Sequence, residues 1–245
     1  MTKRKIIQLN RKWHRYLGLL LGIQFFFWTL GGLYFSWTNI EEIRGDHLKT
    51  EPSSIILNDT LRSPSVFLKE HLNVDEMVKT LELDMLFGEP IYRVSTADMD
   101  QSKTYLFNAK NGKRILPLNK EQSIQLATEK LNIKATVENT EYLMEAGKHH
   151  EYRGRPLPAY AVTFSEPANT TIYVSTVHAN VQTFRSNSWR MFDFLWMLHT
   201  MDYQERDNFN NLLLRVFSLF GLITILSGFS LYILTSNIST LKKKK

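Results

Sequence analysis

From Tyr16 to Trp37 the chain runs 22 residues without a charged side chain, and from Val216 to Thr235 it runs another 20. An α-helix rises about 1.5 Å per residue, so each stretch reaches roughly 30 Å, the thickness of a bilayer's hydrocarbon core. Two such stretches at opposite ends predict transmembrane helices that bracket a central region of ordinary water-soluble sequence. That middle explains why the mean hydropathy of the whole chain is only −0.24. Trp13, Tyr16, Tyr34 and Trp37 flank the first span and Tyr232 lies near the end of the second, where aromatic side chains settle at a lipid–water boundary. The first span is too long for the apolar region of a cleaved signal peptide, and no A-x-A site follows it.

The net charge of +6 is not spread evenly. Lys3, Arg4, Lys5, Arg11, Lys12 and Arg15 crowd the start and Lys242, Lys243, Lys244 and Lys245 close the chain, which leaves the remainder slightly acidic. Cations abutting apolar spans are topology signals and lipid-headgroup contacts, so the basic balance does not point to nucleic acid. With both clusters outside the spans, the positive-inside rule puts both termini in the cytoplasm and the middle outside the membrane. The chain has no cysteine, which excludes disulfides, thiolate metal sites and a cysteine nucleophile. Gly18-x-x-x-Gly22 is a small-xxx-small pattern that permits close helix approach, although glycine is also simply common in membrane helices. Two lone helices bury few side chains, so dimerisation or a partner protein is expected.

The middle repeats itself. Pro90-x-Tyr92-x-Val94 returns as Pro158-x-Tyr160-x-Val162, and Tyr105 returns as Tyr173, all at an offset of 68 residues. Asn73 with Glu76 ahead of Met77, Val78 and Leu81 reads as a capped helix, as does Asn119 with Gln122 ahead of Ile124, Ala127 and Leu131. Strands follow at Ile91–Thr96 and Lys103–Asn108, joined through Asp98-Met99-Asp100, with Asn111-Gly112 read as a type I′ hairpin turn. The second copy has strands near Ala159–Phe164, Thr170–Ser175 and Val181–Phe184, and residues 133–155 form an insertion or an extra strand. The predicted unit is one helix packed on a small antiparallel meander, occurring twice.

Three tracts carry a family resemblance. Thr104-Tyr105-Leu106-Phe107-Asn108-Ala109-Lys110-Asn111-Gly112-Lys113 resembles the strand–turn signature of PepSY domains. Trp13-His14-Arg15-Tyr16-Leu17-Gly18-Leu19 resembles the opening helix of PepSY-associated transmembrane proteins. Trp189-Arg190-Met191-Phe192-Asp193-Phe194-Leu195-Trp196-Met197-Leu198-His199 resembles the segment entering a later helix of that family. The resemblance implies an α+β protein of a bacterial inner membrane with a periplasmic domain of two PepSY-like units. The expected organisation is a cytoplasmic leader 1–15, a span 16–37, units 38–118 and 119–188, an interfacial amphipathic segment 189–210, a span 211–235 and a basic tail 236–245.

His14 and His199 stand beside the two spans. The resemblance makes them candidate haem b ligands, in keeping with larger members that resemble inner-membrane ferric-siderophore reductases, so a haem-dependent ferric reductase or a subunit of one is implied. Neutral imidazole is itself a good axial ligand. The residues read equally well without haem: His14 as one more interfacial cation between Lys12 and Arg15, His199 as a polar position on an amphipathic helix. If both are ligands, the membrane's thickness of about 30 Å keeps them from sharing one iron. Each site then needs a second copy of the chain or another residue, because this chain has two spans where larger relatives have more. Asp202, three residues past His199, is a candidate to orient its imidazole, or it simply faces water. Trp189, Phe192, Trp196 and His199 fall at helical spacing and predict a helix lying in the outer interface. His47, His71, His149, His150 and His178 read as solvated loop residues. No phosphate-binding loop, H-E-x-x-H or nucleophile elbow is present. Beside a reductase acting on an iron(III)-siderophore stands a non-enzymatic alternative, an anchored module that binds a peptide, protease or transport component.

A tag fused ahead of Met1 is expected to resist protease added to intact spheroplasts while the central region is cut. Cleavage of that tag from outside would reverse the topology.

Overall fold

A computed structural model describes residues 3–52, 54, 61–72, 76–97 and 102–236. Asn73, the Asp98-Met99-Asp100 connection and the closing lysines lie outside the described residues. The chain divides into two compact units, residues 1–39 with 191–245, and residues 40–190.

The first unit is helical. Helix α1 spans Lys3–Trp37 without a break, and a second long helix, called α6 below, spans Leu212–Thr235. Both are long and apolar enough to cross a membrane. Leu19, Phe26, Phe229 and Ile233 point outward along them and are well exposed, a surface suited to lipid and not to water. The chain enters α6 through Asn211, whose side chain accepts the Leu214 N–H at 2.8 Å and donates to the carbonyls of Asn208 and Thr200. One side chain thus caps the start of α6 and the end of the preceding helix.

The second unit contains two copies of one arrangement. After a short helix α2 at Ile40–Ile43 and a 3-10 turn at Asp46–Leu48, helix α3 at Pro64–His71 precedes strands β1 (Met77–Leu86), β2 (Glu89–Ala97), β3 (Ser102–Asn108) and β4 (Arg114–Ile115). Helix α4 at Lys120–Lys130 precedes β5 (Val137–Leu143), β6 (Ala159–Phe164), β7 (Thr170–Ser175) and β8 (Asn180–Arg185), and α5 follows at Asn187–Thr200. Each set of four strands forms an antiparallel sheet in simple meander order. The copies match to the level of single hydrogen bonds. Ala109 N–H donates to the Pro90 carbonyl and Thr176 N–H to that of Pro158; Arg62 N–H donates to the Ala109 carbonyl and Leu118 N–H to that of Thr176. Both first strands carry a bulge at the same place, between Val78 and Thr80 and between Val137 and Asn139.

Three expectations change. Residues 77–86 are strand β1, not a helix, and the first copy's helix lies earlier, at α3. The supposed extra strand in 133–155 is therefore β5, the counterpart of β1. Tyr105 and Tyr173 are not equivalent: Tyr105 pairs with Val94, whereas Tyr173 pairs with Ala161 and Ile172 takes the place opposite Val162. A one-residue difference in register turns a strand's side chains to the other face. Finally, only Gly112 in the β3–β4 turn has a positive φ, 73°, while Asn108 Oδ1 accepts the N–H groups of Lys110 and Asn111; a type I′ turn would need two left-handed residues. A Cβ at Gly112 would stand 3.0 Å from that of Phe67. The capping box on α4 is present as expected, Asn119 accepting from Gln122 N–H and Gln122 from Asn119 N–H.

Leu126 and Ala127 of α4 and Leu131 just after it join Val162, Phe164, Ile172, Val174 and Phe184 of the second sheet and Leu86, Ile91 and Leu106 of the first in one buried cluster. Phe67 of α3 covers the other face of the first sheet, against Tyr92 and Phe107. The other face of the second sheet is closed by the loop ahead of β6, where Tyr152 stacks on Tyr173 at 4.7 Å. Burial pushes the Tyr152 hydroxyl up to about 12 despite the nearby charge of Arg155.

His178, expected in a solvated loop, is half buried and links the two copies. Its Nδ1 lies 3.0 Å from Ser175 Oγ and its Nε2 3.1 Å from Thr104 Oγ1 on β3, while its carbonyl accepts from Arg93 Nε. Arg93 in turn reaches Asp84 and Glu82. Burial, with the charge of Arg93 and against that of Glu82, holds the His178 imidazole below its ordinary value of 6.5. Below that value the unfolded chain binds a proton that the folded chain resists, so stability falls as pH drops. Thermal unfolding of the full chain in detergent should show this loss between pH 7 and 5.5, by no more than about 1.4 kcal/mol per pH unit. His178→Gln should flatten the profile; an unchanged slope in the variant would contradict the assignment.

Candidate functional site: two histidine seats in the helical unit

Helices α1 and α6 run antiparallel, and the residues they press together are small or polar. On α6, Gly221 faces the Phe25 ring and Gly228 faces His14. Between them Thr224 is buried. On α1, Leu21 is fully buried. Asn10 Nδ2 donates to the Ser227 carbonyl at 3.3 Å, and His14 Nδ1 lies 2.7 Å from Ser227 Oγ. A Cβ on Gly228 would come within 3.2 Å of His14 Cε1, so glycine is what lets the imidazole lie against α6. Ser227 Oγ also donates to the Thr224 carbonyl at 2.7 Å.

His199 has a different setting. Its ring stacks on Trp196, one turn earlier on α5, and meets Phe35 and Trp28 of α1 at centroid distances of 5.9 and 6.1 Å. Phe192 and Trp196 also pack on Phe35. The aromatic stripe expected to lie in the lipid interface is turned onto α1 instead, except for Trp189, which is covered by the Arg185 guanidinium at 3.8 Å. Met191 and Phe194 are the exposed apolar residues of this helix. Gln24, midway along α1, donates to the Leu198 carbonyl at 2.8 Å and fastens the two helices just beside His199. His199 Nδ1 and Trp28 Nε1 are both buried without a hydrogen-bond partner.

His14 and His199 therefore meet α1 at different heights, at position 14 and at positions 28 and 35. At about 1.5 Å per residue that separates them by roughly 21–32 Å along the helix. They do not converge on one metal, and among the described residues no group of three or more metal-ligating side chains forms.

Asp202 is 4 % exposed, and its carboxylate accepts the N–H groups of Gln204, Glu205 and Asn208. Burial alone would raise its titration, but these backbone donors and that of Asp207 outweigh it and hold the carboxyl below its ordinary value. The side chain shapes the loop from α5 into α6 and makes no hydrogen bond to His199, whose Nδ1 stays unpartnered. Beside it Asp193, also buried, forms an ion pair with Arg206.

Each seat offers a single imidazole. His14 has its Nδ1 engaged by a hydroxyl, as metal-ligating histidines commonly do, and its Nε2 makes no hydrogen bond among the described residues. His199 keeps a buried nitrogen without a partner in an aromatic surround. Neither has a second histidine beside it in the same chain. Sequence reasoning marked Gly221, Ser227 and Gly228 only as small residues of the second span and missed the contacts of Asn10, Gln24, Trp28 and Thr224; the available signal was Gln24, Thr224 and Ser227 as polar side chains inside otherwise apolar stretches. Compared with protein-family models, curated proteins and solved structures, the chain matches none.

Proposed function

We propose that this is an inner-membrane, PepSY-like electron-transfer protein, with both termini cytoplasmic and the two-copy unit periplasmic, that takes part in reducing an iron(III)-siderophore during iron uptake. The observation that carries the reading is the pair of histidine seats at separate heights on α1, each offering one imidazole. His14 and His199 would each hold one haem b, and a second copy of the chain would bring the matching histidine to complete each pair. Bound haem would supply one-electron chemistry at an iron tuned by its axial ligands and by burial. The chain's own part is to fix the two imidazoles, exclude water with Phe35, Trp28, Trp196 and the lipid-facing residues, and keep the sites in line across the membrane.

Protein expressed with ample haem and purified in detergent should show a Soret band that shifts on reduction. His14→Ala and His199→Ala should each remove about half of the haem, since each ligates a separate iron. A colourless protein would overturn the reading. A second reading, an anchored binding module, is favoured by one feature: β1 is an edge strand whose Met77, Val78 and Leu81 are exposed, a surface open to strand addition by a peptide or partner protein.

A further inference from the structure

We infer that Ser227 is the positioning residue that sets the tautomer of His14 and presents a bare Nε2 as a ligand, with Gly228 providing the room. The inference rests on the proposal that His14 ligates a metal centre, but its first consequence belongs to the protein alone.

The argument is one of proton counting. A serine hydroxyl has a single hydrogen. In Ser227 that hydrogen points to the Thr224 carbonyl, 2.7 Å from Oγ on the preceding turn. Oγ must then accept in its 2.7 Å contact with His14 Nδ1, which makes Nδ1 the N–H of the ring. A neutral imidazole has only one N–H, so Nε2 carries a lone pair. Free imidazole side chains favour the opposite tautomer only slightly, and a directed hydrogen bond to Nδ1 is what fixes the ligating form.

The seat is built from both helices. Asn10, one turn before His14, donates to the Ser227 carbonyl and holds that turn of α6 against α1. Gly228 lies under the ring, where a Cβ would be 3.2 Å from Cε1 and 3.9 Å from Nδ1 and Nε2. A contact at 3.2 Å asks the ring to give by a few tenths of an ångström, which lengthens or tilts its short bond to Oγ. The arrangement Asn10-x-x-x-His14 against Ser227-Gly228 is thus a preset holder for one imidazole, distinct from the aromatic surround of His199, where no hydroxyl meets Nδ1.

The test is ¹⁵N NMR of the full-length protein in detergent, labelled at histidine and observed where the ring is neutral, with the His14 signals assigned by their loss in His14→Gln. Wild type should show Nδ1 protonated and Nε2 bare. Ser227→Ala should shift the population toward the Nε2–H form, and Ser227→Thr, which keeps the hydroxyl, should retain the wild-type tautomer. Gly228→Ala should disturb the His14 signals without deleting any donor. In the haem-loaded protein, Ser227→Ala should weaken retention at the His14 site by about 10- to 100-fold, with Ser227→Thr close to wild type. A wild-type His14 carrying its proton on Nε2, or a Ser227→Ala tautomer identical to wild type, overturns the inference. The expected tautomer in a protein that takes up no haem would uphold the seat and defeat the haem reading instead.

Discussion

Helices α1 and α6 are long and apolar enough to cross a bilayer, where lipid tails as apolar as leucine would leave little to gain from burying leucine between them. What joins α1 to α6 is close approach and polar contact: Gly221 under Phe25, Gly228 under His14, and the hydrogen bonds from Asn10 and His14 to Ser227. Helix α5, which belongs from Met191 onward to the same helical unit, is fastened by the same means. Gln24 donates to a carbonyl of α5, and Asn211 bridges the end of α5 to the start of α6. Each histidine owes its place to these contacts. His14 lies where α6 has no side chain, and His199 lies where α1 presents Trp28 and Phe35.

The second unit solves a different problem, since water does drive its packing. A helix and a four-strand meander cannot close both faces of a small sheet. Here α4 serves the cluster shared by both sheets, α3 covers the first sheet's other face, and the loop with Tyr152 covers the second's. Duplication thus leaves two similar backbones with different coverings. His178, with Arg93 beneath it, shows the same divergence: the turn that in the first copy has Gly112 with a positive φ has Ala179 in the second, and His178 beside it has become a tie between the sheets.

Much of this was legible in the residues. The two long apolar helices stand out because uncharged runs of 20 residues or more are rare elsewhere in the chain, and α4 was marked by a reciprocal Asn119–Gln122 cap. Strand β1 was misread for a physical reason. It is an edge strand exposed along most of its length, so it lacks the alternation that marks a half-buried strand, and its Met77, Val78 and Leu81 happen to fall at helical spacing. The Tyr105–Tyr173 equivalence failed because the second copy's connection is one residue shorter, which spacing alone does not show on a strand. The pairing of Ser227 with His14 was out of reach, since the two lie 213 residues apart in the chain.

Because the chain has no cysteine, the antiparallel pairing of α1 with α6 is open to a direct measurement. A Phe25→Cys, Gly221→Cys double variant, treated in membranes with a short bifunctional thiol reagent, should give a cross-link within one chain that leaves the protein monomeric on denaturing gels. Cross-linking confined to dimers, or none in a folded protein, would mean that these helices do not meet within one chain and that His14 has no seat.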